Sequence, residues 1–264
     1  GAQVAPAPDR GADGRGASGV PCATGDPERG SPRGTRGSAV RPSLLDSARI
    51  RRHLADRLLI SVRTPEKRVA LTFDDGPNSR HTPELLDLLG EHDVRATFFL
   101  VGKRVRRFPD LAQRIVSEGH EVGNHGMHHL PLVLLPPPLL RHEVEAAGSV
   151  IETVTGVRPR YFRPPMGWFS DRALATIRGL GYEPVIGNIH PRDSSRPGTG
   201  RIVDHVLTRV SPGSIIILHD GGWVESVDRS QSIRAVRTIV QSLEDRGYRF
   251  ATLSELVDGE NRIP

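Results

Sequence analysis

From about residue 60 onward the chain alternates between two patterns of apolar and polar positions. Short apolar, β-rich runs fall at Val69–Phe73, Ala96–Val101, Glu121–Asn124, Tyr161–Arg163, Pro184–Asn188, Ser214–Leu218 and Arg249–Thr252. Between them, apolar residues recur with helical spacing in Pro83–His92, Val105–Glu118, Leu139–Thr155, Asp171–Leu180, Arg201–Val210 and Ser232–Arg246. Gly or Pro marks most boundaries. Repeated strand–helix alternation predicts a parallel α/β fold. Seven strands can close as a barrel or remain an open doubly wound sheet, and periodicity does not separate the two.

Ahead of this region the pattern lapses. Residues 1–39 contain no Leu, Ile, Met, Phe, Tyr or Trp. A segment of that composition cannot bury enough apolar surface to offset its chain entropy, so residues 1–40 read as a disordered Gly/Pro/Arg-rich tail. No apolar stretch follows Gly1, and no signal segment is assigned there. Residues 41–59 read as a basic amphipathic helical segment, with Leu45, Ile50, Leu54 and Leu58 on one face and Arg49, Arg51, Arg52 and Arg57 elsewhere. That helix either packs on the domain or touches an anionic envelope polymer or membrane surface. Residues 60–258 form the expected α/β domain, and 259–264 a short C-terminal tail.

Composition and charge narrow the function. No apolar run approaches the roughly 18 residues of a membrane-spanning helix. The single Cys22 excludes an internal disulfide framework and a cysteine-based zinc site. The net charge of +5 resides in the first 67 residues, because 68–264 carry 24 basic and 24 acidic side chains. A neutral folded region argues against a nucleic-acid-binding domain.

The chemistry-bearing residues sit at the ends of the predicted strands, where ligands bind in parallel barrels and open α/β sheets. Thr72-Phe73-Asp74-Asp75-Gly76-Pro77 ends a β run in two adjacent carboxylates, free to take different jobs. In Gly123-Asn124-His125-Gly126-Met127-His128-His129, His125 and His129 are four apart and share a side if a helical turn begins there, with His128 off that face. Two imidazoles and one carboxylate suit a divalent metal and leave room for a bound water. Tyr161-Phe162-Arg163-Pro164-Pro165-Met166-Gly167 offers Arg163 on a backbone stiffened by prolines. His190-Pro191-Arg192-Asp193 follows another strand, and Ile215–Gly221 places His219 at a strand mouth, where a general acid or base belongs.

Together, in this order, these five segments resemble the polysaccharide deacetylases with the NodB-homology domain, carbohydrate esterase family 4, over about residues 60–258. The resemblance implies a distorted (β/α) barrel of about seven strands and hydrolysis of N- or O-acetyl groups on chitin-like glycans, peptidoglycan or xylan. It implies one divalent metal ion, commonly zinc, bound by Asp75, His125 and His129. Asp74 would be the general base, Arg163 would orient it, and the backbone N–H of Met166 would meet the oxyanion. Asp193 would set the charge of His219, the acid for the leaving amine, and Leu218 would line the acetyl pocket. The expected partner is an acetylated glycan, with no nucleic acid and no integral membrane segment. The oligomeric state is left open with a monomer favoured, and an extracellular or cell-envelope location follows family habit.

Departures from the family pattern are Gly126 in place of Ser or Thr, Met166 in place of an aromatic, and Ser194 where many members carry Trp, a gap that Trp168 or Trp223 would fill. The apolar stretch Leu130–Leu140 is either packed under the barrel rim or exposed near the site. Two other functions fit the same residues: a deacetylase of a small amide, and a non-catalytic glycan-binding module.

Overall fold

The computed structural model describes residues 57–259. Seven strands occur, six of them on the runs the sequence marks, while β5 overlaps the expected Pro184–Asn188 only at Pro184: β1 (Arg68–Gly76), β2 (Thr97–Leu100), β3 (Glu121–Asn124), β4 (Tyr161–Phe162), β5 (Glu183–Pro184), β6 (Ile215–His219) and β7 (Arg249–Phe250). Their order is β5-β4-β3-β2-β1-β6, with β7 beside the start of β1, and every pairing is parallel. The chain just after β5 returns to β6 through an Ile189–Ile216 bridge, and Ile217 N–H donates to the Ile189 carbonyl at 2.8 Å. The sheet thereby closes on itself, which resolves the choice between barrel and open sheet in favour of a barrel.

The period of two along β1 and β6 sorts the side chains. Val69, Leu71 and Phe73, with Ile216 and Leu218, face outward into the main core. The helices complete that core with Leu85 and Leu89 of α1 (His81–Glu91) and Val236 and Ile239 of α7 (Ser230–Asp245). Ala70 and Ile215 point inward and pack with Phe99, Tyr161 and Val185. A short helix, α8 (Leu253–Asp258), adds Leu253 and Leu256 to that inner cluster. Its capping box, in which Thr252 and Glu255 satisfy each other's backbone N–H groups, fixes where it starts. The same alternation turns Thr72, Asp74, Ile217 and His219 toward the interior at the other end.

Four expectations change. Val105–Glu118 is not one helix but two, α2 (Gly102–Arg107) and α3 (Pro109–Ser117). The break is at Phe108, φ −130° and ψ 61°, because a residue that precedes proline is kept out of the helical region. Leu139–Thr155 starts two residues earlier, as α4 (Pro137–Thr155), with prolines in its first turn and left-handed Gly156 after its end. Of the basic segment 41–59, residues 41–56 lie outside the described residues, as do tail 1–40 and residues 260–264. Residues 57–59 are not helical: Leu58 is buried and Leu59 bridges Val185, so the domain begins before residue 60. The Leu130–Leu140 stretch divides between its two readings. Leu132 and Leu140 are fully buried with Val144, Phe162 and Ile177, while Leu134 is 71% and Leu139 54% exposed.

The two remaining helices are α5 (Asp171–Gly179) and α6 (Thr199–Leu207). Among the described residues no helix is long and apolar enough to cross a membrane.

Candidate active site

A cavity of about 520 Å³ opens where β1, β3, β4 and β6 end. Its lining includes Asp74, Asp75, His125, His129, Arg163, Met166, His190 and His219, so all five sequence motifs contribute to it. Parallel pairing places Asp74 of β1 directly opposite His219 of β6.

The two adjacent carboxylates diverge because β1 bulges between them. The register with β2 slips between Asp74 and Gly76, and Asp75 takes φ 72°, an uncommon left-handed conformation for a non-glycine residue. Asp74 keeps the strand's inward direction and meets Arg163, whose Nη1 donates to Asp74 Oδ1 at 2.6 Å and Thr72 Oγ1 at 2.8 Å. Arg163 is buried and lies over the Phe99 ring at 4.0 Å, so neither partner of the ion pair can turn freely.

Asp75 instead faces the two histidines. His129 Nε2 stands 2.9 Å and His125 Nε2 3.5 Å from Asp75 Oδ1. His125 Nδ1–H donates to the Arg163 carbonyl at 2.7 Å, which leaves Nε2 as the lone-pair nitrogen. Asp75 Oδ1 is buried without a hydrogen-bond partner although two imidazole nitrogens converge on it. Three ligand atoms, one from each residue, lie within 4.8 Å of one another. That donor set, with an orphaned carboxylate oxygen at its centre, fits a divalent cation. Burial raises the Asp75 pKa, but the His125 and His129 contacts outweigh it and hold the carboxyl well below its ordinary value.

No helical turn joins the histidines, contrary to the i, i+4 expectation. Residues 125–131 are irregular, and left-handed Gly126 (φ 81°) and His129 (φ 59°) bring the rings to 5.0 Å. The loop is braced without a residue-126 hydroxyl. Asn124 Oδ1 accepts from Gly126 N–H, and Glu143 accepts from His128 through both backbone and ring. A Ser or Thr at 126 would be strained by that positive φ.

On the opposite strand, His219 Nδ1 pairs with Asp193 Oδ1 at 2.8 Å, while Asp193 Oδ2 accepts from His219 N–H and Ser232 Oγ. Burial lowers the His219 pKa, but the charge and hydrogen bond of Asp193 overcome it and push the value to about 9. Neighbouring His190 is lowered to about 4 by burial and by the His219 charge. His190, Asp193 and His219 also cluster tightly enough to hold a metal, yet both Asp193 oxygens are already committed to hydrogen bonds. This second group is therefore suited to proton transfer.

One predicted residue is misplaced. Leu218 faces the helices and is fully buried in the main core, because His219 points inward and its strand neighbour must point out. Ile217, with Ile60 and Ile186, lines the cavity in its stead. Trp223, not Trp168, borders the cleft, its ring 5.4 Å from that of His129.

Asp220 escaped the sequence reading. It is fully buried, accepts from Thr82 Oγ1, and occupies the space where a Gly76 side chain would begin. Burial, with the Asp75 charge, raises its pKa to about 7. Its position directly after His219 was the available signal.

Comparison with known proteins agrees with this geometry. The polysaccharide deacetylase profile matches residues 61–185. A peptidoglycan-N-acetylglucosamine deacetylase of Bacillus cereus is 41% identical over 194 residues, 73% of this chain and 89% of that one. A chitooligosaccharide deacetylase of a Bradyrhizobium strain is 40% identical over 196 residues, 71% and 90% of the two chains. The crystal structure of a peptidoglycan N-acetylglucosamine deacetylase in complex with 4-naphthalen-1-yl-N-oxidanyl-benzamide superposes with a TM-score of 0.74 at 29% identity, covering 78% of this chain and 95% of that one. A CE4 family pseudoenzyme from Bacillus anthracis superposes at 0.68 with 27% identity, over 75% and 67%. With the fold, the strand-end motifs and the sequence identity all in agreement, the chain belongs to the polysaccharide deacetylase family.

Proposed function

We propose that the protein is a metal-dependent deacetylase that hydrolyses the N-acetyl groups of a glycan of peptidoglycan or chitin type. The observation that carries this reading is Asp74 facing His219 across paired strands, beside the converging ligand atoms of Asp75, His125 and His129. The names of the relatives support a glycan substrate.

Asp75, His125 and His129 would hold the cation, zinc being suited to one carboxylate and two imidazoles. Once bound, such an ion supplies Lewis-acid polarisation of the acetyl carbonyl and makes water easier to ionise. Asp74 accepts the proton of the attacking water, its carboxylate fixed through Oδ1 by Arg163. The oxyanion that develops on the carbonyl meets the backbone N–H of Met166 at the cleft wall. His219, protonated and held at Nδ1 by Asp193, donates from Nε2 to the amine as the carbon–nitrogen bond breaks. Acetate and a free amino sugar are the products. A binding-only role is disfavoured by the placement of a base and an acid on facing strands.

The test is acetate release from chitooligosaccharides, peptidoglycan, acetylxylan and small N-acetyl compounds, before and after chelation. Release from an N-acetylated glycan that chelation abolishes and zinc restores is expected. Metal-loaded protein that frees no acetate from any of these overturns the proposal.

A further inference from the structure

Trp223 is 66% exposed, yet it stands at the edge of the cleft against a buried histidine. Its ring meets the His129 ring at 76°, 5.4 Å between centroids, so the contact is edge-on and engages no more than one face of the indole. A large apolar side chain left open to water at a ligand cleft calls for a partner.

The loop beneath it is held with unusual completeness. Two buried arginines, 3% and 6% exposed, donate to consecutive carbonyls. Arg229 Nε reaches the Gly221 carbonyl at 2.5 Å, and Arg104 Nη2 reaches that of Gly222. Arg229 also donates to the Ser194 carbonyl at 3.0 Å, tying this loop to the one after Asp193. Beyond the tryptophan, Glu225 accepts from Asn78 and Ser79. Gly221 is required, since a side chain there would begin 2.1 Å from the Asp75 carbonyl oxygen. Burying two guanidiniums to fix two loop carbonyls is costly unless the position of what they carry matters. What they carry is Trp223, in a loop held on both sides of it, with Gly221 packed close on the backbone of Asp75.

We propose that Trp223 is a specificity-determining residue whose open indole face stacks on a pyranose ring, that of the acetylated sugar or its immediate neighbour. This rests on the glycan deacetylase reading and deepens it. The C–H groups on one face of a pyranose present the apolar surface that an indole face accepts. Because the ring abuts His129, the stacked sugar lies next to the reacting acetyl group. A small amide without a sugar ring gains nothing from this contact, so Trp223 would select glycans over such compounds.

The chain has two tryptophans, Trp168 and Trp223, and this makes a direct test possible. In a Trp168→Phe protein that also carries Asp74→Asn to preserve substrate, Trp223 is the sole indole reporter. Titration with chitotetraose and with solubilised peptidoglycan fragments should give a saturable change in tryptophan emission with at least one of them. In the otherwise wild-type enzyme, Trp223→Ala should raise KM for the better glycan roughly five- to tenfold with little change in kcat, the scale of one aromatic contact, and Trp223→Phe should recover most of it. Emission indifferent to both saccharides, or a KM unaltered by Trp223→Ala, overturns the proposal. Failure of the deacetylase reading has a different signature: emission would respond to sugar while the wild-type protein released no acetate.

Discussion

His219 lies under two opposed influences. Burial pushes its pKa down, while the charge and hydrogen bond of Asp193 push it up, with Asp75 and Asp74 adding to the rise, to about 9. In the proposed mechanism, donation to the leaving amine requires the protonated ring, so the rate should fall on the alkaline side as pH passes that value. Removing the Asp193 charge leaves burial less opposed, and the folded pKa drops. In Asp193→Asn at equal metal content, the alkaline limb of kcat/KM should therefore move about one unit or more to lower pH. A limb that stays in place would show that Asp193 does not govern His219. The ligand set yields a second expectation: His125→Ala and His129→Ala should each lose most bound metal by elemental analysis, and full occupancy in both would contradict the assignment. At this scale residue types were readable in the sequence because strand ends concentrate chemistry. The direction of Leu218 followed only from knowing that His219 points inward. Asp220 adjoins His219 in the sequence, but nothing local marks its burial against Thr82, 138 residues away, and the two clamping arginines carry no local sign that they bond to the carbonyls of Gly221 and Gly222.

Elements formed where apolar periodicity placed them, and their limits moved where backbone chemistry intervened. Phe108 is an example: its helical spacing continues through Pro109, but the proline restricts its predecessor and ends the helix. The histidine loop is another, because i, i+4 spacing does not distinguish a helical turn from a turn built on left-handed residues. The stretch 130–140 shows the limit of hydropathy alone. Its leucines look equivalent in sequence, yet Leu132 plugs the cluster under α4 and α5 while Leu134 faces water. Leu132→Ala should cost about 2–5 kcal/mol of stability by denaturant unfolding. Leu134→Ala should stay within about 0.5 kcal/mol. Equal losses in the two variants would mean the exposed half is packed as well.

For the molecule as a whole, parallel alternation announced the α/β class, and barrel closure depended on a contact that no local pattern encodes, the Ile189–Ile216 bridge. The neutral balance of residues 68–264 sets them apart from the basic start of the chain. Residues 1–39 offer no Leu, Ile or aromatic side chain to a core. Deleting residues 1–40 should leave the melting temperature and the deacetylation of soluble oligosaccharides nearly unchanged, whereas a marked loss of stability would reveal docking on the domain. The central claim is that the protein is a hydrolase whose own carboxylate, Asp74, takes the proton from water beside a metal bound elsewhere. It is tested most directly by acetate release from an N-acetylated oligosaccharide by Asp74→Asn, with metal content measured in the same sample. The account predicts full metal occupancy with a rate lower by roughly 10²–10⁴-fold. A variant that retains both its metal and the wild-type rate would contradict it.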